Sequence, residues 1–69
     1  PDAQAREKLI QMYTKDKTLS SECPVSSLVK KFDGWSCAKI ESTLNSAALY
    51  ARQDGREEIM MKDIEAVNN

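Results

Sequence analysis

The sequence contains no histidine and little that punctuates a chain: two cysteines, two glycines and two prolines in 69 residues. Without histidine the usual general base at neutral pH is missing, and with it Ser-His triads and Cys/His metal sites. Cys23 and Cys37 lack CxxC spacing. Two free thiols in a reducing compartment are the simple reading, and a disulfide between them is the other. No apolar run approaches the ~20 residues that span a bilayer. Charged residues interrupt every apolar stretch near the N-terminus, so no secretory leader is read there. An excess of one charge is also absent: 10 Lys+Arg stand against 11 Asp+Glu, a formal charge of -1. That balance argues against a nucleic-acid partner, because neutralising phosphates needs a basic excess or a basic face.

What remains is an ordinary folded composition, 41% hydrophobic and 30% charged, in a chain long enough for one small domain. Pro1 and Asp2 can open a first helix over residues 3 to about 15, with Ala5, Leu9 and Met12 at helical spacing and Ile10 and Tyr13 widening the stripe. Residues 15–22 are polar and turn-prone, anchored by Leu19. A short second helix fits residues 24–32, with Pro24 at its first position and Val25, Leu28, Val29 and Phe32 on one face. Gly34 ends it, and Ser36 is placed to cap a third helix. Along that helix Ile40, Leu44, Ala47, Ala48 and Ala51 form a 3.6-residue stripe, small enough at its C-terminal end for close helix packing. Asp54-Gly55 stops it near Gln53, and Met61, Ile64 and Val67 predict a last helix over 61–67 that has Met60 where a capping residue is expected. Residues 57–61 can add a few extended residues at most. The pattern predicts an all-α fold, a single compact four-helix domain over 1–69, whose core supplies on the order of 3–5 kcal/mol.

The sequence carries no GxxxxGK[ST] loop, GxSxG, HExxH or EF-hand pattern, so no catalytic residue and no metal ligand is assigned. Glu57, Glu58, Asp63 and Glu65 read as solvated surface, and Met60-Met61 as core filler. Gly34-Trp35-Ser36-Cys37-Ala38-Lys39 runs through a loop into a helix start, where free N–H groups and the positive dipole end face an anion and small side chains admit a flat ligand. An ordinary capped helix start, with Trp35 plugging the core, is the competing reading.

In order along the chain, these motifs resemble the C-terminal helical lid of AAA+ ATPases, closest to the FtsH-type metalloprotease branch of the classical AAA family. Pro1-Asp2 with Arg6-x-x-Leu9-Ile10 resembles the entry into the lid, and Leu19 with Val25-x-x-Leu28-Val29 its link and second helix. Gly34-Trp35-Ser36-x-Ala38 is similar to Gly-Phe-Ser-Gly-Ala. Leu44-Asn45-Ser46-Ala47-Ala48-Leu49-Tyr50-Ala51 resembles Leu-Val-Asn-Glu-Ala-Ala-Leu-x-Ala with one polar position slipped. Gly55-Arg56, then Ile59-x-x-Lys62-Asp63-Ile64 with Ala66 close behind, resembles the closing helix Ile-Thr-x-x-Asp-Phe-x-x-Ala, again with one position of slack.

The resemblance implies a fragment of a longer chain that caps and senses a nucleotide, ATP or ADP with Mg, held by a preceding α/β domain. It implies a homo-hexameric ring whose neighbouring subunits receive the lid's motion, protein substrates to be unfolded, and a zinc protease domain elsewhere in the parent. The parent is then an ATPase on the cytoplasmic side of a membrane anchor, and the isolated fragment is inactive and binds no cofactor. Family nucleotide contacts fall on Tyr13, where the family has His, and on Cys37 and Ala38, where it has Gly-Ala. Tyrosine does not titrate near neutrality, and Cys37 adds a side chain where backbone approach is closest. Lys39 stands where some branches place the Arg that touches the γ-phosphate. The alternative is a free-standing, histone-fold-like helical interaction module with no ATP site.

Overall fold

In the computed structural model, which describes residues 2–67, four helices carry the chain in the order α1 (Ala3–Tyr13), α2 (Val25–Lys31), α3 (Cys37–Gln53) and α4 (Met61–Val67). Two short strands, β1 (Thr18–Leu19) and β2 (Glu58–Ile59), pair in parallel, Thr18 opposite Glu58 and Leu19 opposite Ile59. The all-α expectation holds. The strand pair escapes sequence reading because two residues carry no periodicity, and for 57–61 the sequence allows a few extended residues at most.

Helix α1 starts where expected, with the Asp2 carboxylate accepting from the Ala5 N–H at 2.8 Å; Pro1 lies outside the described residues. It ends at Tyr13 and not near residue 15, because the Thr14 hydroxyl donates to the Ile10 carbonyl at 2.6 Å and Lys17 Nζ donates to the Tyr13 carbonyl. The buried face also differs from the expected stripe. Ile10 is fully buried with Arg6 and Thr14 beside it, whereas Met12 is 57% exposed. The stripe is displaced because the stem of Arg6 lies inward while its head finds partners. Arg6 Nε donates to the Val29 carbonyl at 3.0 Å and its NH1 lies 3.3 Å from Asp33 Oδ1. This cation ties α1 to the end of α2.

Pro24 is the residue before α2, one position earlier than expected, and Phe32 is its fully buried C-terminal cap. Gly34 then takes φ 82°, the left-handed conformation a side chain disfavours. The α3 stripe is confirmed residue by residue: Ile40, Leu44, Ala47, Ala48 and Ala51 are all buried, joined by Thr43. At its C-terminus Gly55 N–H donates to the Arg52 carbonyl and Arg56 N–H to the Ala51 carbonyl, the double bond pattern of a Schellman turn. Helix α4 packs on α3, where the alanines leave room. The core joins Ile10, Leu28, Phe32, Ile40, Leu44 and Ile64, with Cys23 closing it from the loop before α2 and Ile59 from β2.

Candidate functional site

Tyr13 is the last residue of α1, and Cys37, Ala38 and Lys39 form the first turn of α3. Helix α1 packs on α3, and partial burial pushes the Tyr13 phenol above its usual range, with Glu41 and Cys37 adding to the effect. Tyr13 therefore lies within electrostatic reach of the α3 start. Cys37, Ala38 and Lys39 are exposed. Ser36 caps the helix as expected, its hydroxyl accepting from the Lys39 N–H at 3.1 Å. The preceding N–H groups, those of Cys37 and Ala38, have no carbonyl within the helix to bond. A helix start with two N–H groups left over and only small side chains at Cys37 and Ala38 is electrostatically favourable to an anion.

Lys39 is placed differently. Its ammonium lies 4.3 Å from the Trp35 ring centroid, and Trp35 stacks on Phe32 at 4.5 Å with 27° between the rings. Phe32 is fully buried and Trp35 packs on the core, so the plugging role considered for Trp35 is observed alongside the capped helix start. This column of cation and two rings pins the α3 start to the α2 end.

Of the two cysteines, both free, Cys23 is buried and Cys37 is exposed. Burial pushes the Cys23 thiol up, and the Asp63 carboxylate pushes in the same direction. Among the described residues, clefts of about 620, 480 and 290 Å³ are lined by residues other than Tyr13, Cys37, Ala38 and Lys39. The largest lies over the strands, between Ser20, Ser21 and Glu22 and the segment from Arg56 to Met60. No helix among the described residues is long and apolar enough to cross a membrane, and no three Cys, Asp or Glu side chains among them gather as metal ligands.

One cluster was misread in the sequence. Asp63, taken there as solvated surface, is only 4% exposed and holds Arg56 through paired bonds, NH1 to Oδ2 at 2.9 Å and NH2 to Oδ1 at 2.7 Å. Arg56 also donates from Nε to Asp54 at 2.8 Å and from NH1 to the Glu58 carbonyl at 3.1 Å. The signal available was an acid at the third position of a helix that lacks a capping side chain. Glu57, Glu58 and Glu65 are exposed, as expected.

No family model matches the chain. Among curated proteins, it is 37% identical over 65 residues to the ATP-dependent zinc metalloprotease FtsH of Thermus thermophilus, covering 94% of this chain and 10% of that protein. The FtsH of Thermotoga maritima is 35% identical over the same length, 94% of this chain and 11% of that protein. The FtsH of Mycoplasma pneumoniae is 38% identical, over 94% of this chain and 9% of that protein. The chain thus spans about a tenth of the length of the relatives it matches. Over nearly all of its own length, this chain is a relative of one short segment of the FtsH-type ATP-dependent zinc metalloproteases, the family its motifs resemble.

Proposed function

We propose that this domain is the nucleotide-sensing lid of a hexameric AAA+ ATPase, coupling ATP hydrolysis to protein unfolding and feeding a zinc protease domain of the same parent chain. The observation that carries this reading is the match across 94% of the chain to proteins named as ATP-dependent zinc metalloproteases. The reach of Cys37 and Glu41 charge to the Tyr13 phenol supports it, because the two segments the resemblance assigns to nucleotide contact then lie within electrostatic range of one another.

Tyr13, Cys37 and Ala38 are the proposed contacts to adenine, ribose or phosphate, and Lys39 is the proposed γ-phosphate contact. Cys37 and Ala38 offer backbone donors, and the Tyr13 ring offers a face and a hydroxyl. Lys39 leaves the Trp35 ring to take up that role. ATP or ADP with Mg, held by the preceding α/β domain, supplies the free-energy difference between open and closed lid. A lid responds only to the extent that its two positions differ in affinity for the bound species. Its partners are that α/β domain, neighbouring subunits of a homo-hexameric ring and the parent's protein substrates, with no nucleic acid among them. We place the domain on the cytoplasmic side of a membrane-anchored parent.

The test is the natural full-length protein. A GxxxxGK[ST] loop within roughly 200 residues before Pro1 is expected, and Tyr13→Ala in that protein is expected to raise the ATP concentration needed for half-maximal turnover. Unchanged turnover and nucleotide affinity in Tyr13→Ala and Cys37→Leu alike would remove the proposed contacts. The second reading, a free-standing interaction module, draws on the exposure of Met12, Leu49 and Tyr50 at 57%, 45% and 39%. Light scattering separates the two: a stable dimer at micromolar concentration favours the module, and a monomer favours the lid.

A further inference from the structure

A helix of seven residues makes fewer than two turns and has little stability of its own, so whatever holds α4 must come from outside it. Its packing on α3 supplies part of this, through the buried Ile64. Its start is a separate matter. Met60 offers no capping oxygen, and its own N–H is satisfied instead by Asp63 Oδ2 at 2.8 Å. That carboxylate is buried, and its remaining capacity is taken by the fork of Arg56. Through Asp54 and the Glu58 carbonyl, the same guanidinium reaches the cap of α3 and strand β2. One side chain thus joins three pieces of the chain. Directly before it stands Gly55 at φ 76°, where an added Cβ would meet nothing within 4 Å, so the pivot sits in open space.

The rest of the domain is held by other means. Arg6 ties α1 to α2 through Val29 and Asp33, and the Phe32–Trp35–Lys39 column ties α2 to α3. None of these contacts involves residues 54–67. Besides the packing of α4 and β2 on α3, the described residues join the two parts through the two-residue strand register, the Ser20 N–H to Ile59 carbonyl bond, and the turn bonds from the Gly55 and Arg56 N–H groups to the Arg52 and Ala51 carbonyls.

We infer that Arg56 is the latch of a separable unit: β2 and α4 open together about Gly55, while α1, α2 and α3 keep their fold. Arg56 acts through Asp63 and is a positioning residue. The inference concerns the isolated domain and stands whether or not the domain is a nucleotide lid.

Amide hydrogen exchange on the 69-residue chain tests it, comparing the wild type with Arg56→Lys, Arg56→Ala and Arg56→Ala/Met60→Thr. In Arg56→Ala the amides of 57–67 are expected to exchange on the order of 10- to 100-fold faster, with the slow amides of α1 and α3 unchanged. Arg56→Lys, which keeps the charge and loses the fork, is expected to show the same pattern more weakly. Met60→Thr gives α4 a capping oxygen of its own, so the double variant is expected to recover part of the protection in 61–67. If Arg56→Ala does not fold, Arg56→Lys carries the comparison. Equal acceleration in all four helices, or none in α4, overturns the latch.

Discussion

Arg56 and Asp63 meet across the turn between α3 and α4 through two parallel hydrogen bonds of 2.9 and 2.7 Å, with the carboxylate buried and the guanidinium at the rim. Paired bonds of this kind fix orientation as well as distance. Removing Asp63 takes away both of these bonds and leaves the Met60 N–H without its acceptor, so Asp63→Ala is expected to cost about 2–3 kcal/mol. Urea unfolding followed by circular dichroism measures this, and a loss well under about 0.5 kcal/mol would be no more than an ordinary surface change produces.

The same pair sets the acid limit of the fold. Arg56 holds the Asp63 carboxyl below its usual range against the opposing effect of burial, and holds Asp54 down as well. A carboxyl depressed in the native state contributes stability that is complete above its unfolded value, about 3.9, and is lost as pH falls through the native value. The melting temperature is therefore expected to be level from neutrality to about pH 5 and to drop below about pH 4. Asp63→Asn is expected to flatten most of that drop. Parallel pH profiles for the two proteins would place the titration elsewhere.

Arg6 offers a contrasting cation. Its stem is buried and its head bonds the Val29 carbonyl, so Arg6→Ala removes packing and a hydrogen bond together, at a cost of about 2 kcal/mol. Arg6→Met keeps the stem and is expected to recover about half. Chemical denaturation of the three proteins gives the order directly.

The two thiols should part cleanly under a thiol reagent. Cys37 is exposed, whereas Cys23 is buried with its thiol pushed up. One equivalent is expected to react within the mixing time and the second only as the chain opens. Two rapid equivalents would contradict the burial of Cys23.

Lys39→Ala is expected to change the fluorescence of Trp35, the one tryptophan in the chain, because the cation over its ring is removed. In the full-length protein the same variant tests the proposed γ-phosphate contact. A changed Trp35 signal with unaltered ATP turnover would leave Lys39 a structural role alone.

The legible parts of this fold are those where periodicity and capping agree. The stripe from Ile40 to Ala51 and the Ser36 cap were readable because each residue type had one cheap place to be. Helix α4 was readable in extent from Met61, Ile64 and Val67, while what starts it was not. Asp63 was read as surface, and the burial of Arg6 was not read at all, for a common reason: a charged residue scores as surface until its partner is known, and both partners lie across turns. Met12 was drawn into the core on spacing alone, though α1 turns the neighbouring face inward. Of the candidate site, the grouping of Tyr13 with Cys37 came only from the family resemblance, since local pattern says nothing about which helix ends lie within electrostatic reach of each other.

The parallel pairing of Thr18 with Glu58 and Leu19 with Ile59 joins positions forty residues apart (58 - 18). Closing a loop of that length costs about 3 kcal/mol of chain entropy. Two residues of ladder return less than that at roughly 1 kcal/mol per hydrogen bond, so the pairing follows the packing of Ile59 and cannot nucleate it. The strand register is therefore held in place by the core and does not hold the core in place, so it is expected to be lost whenever Ile59 leaves its packing.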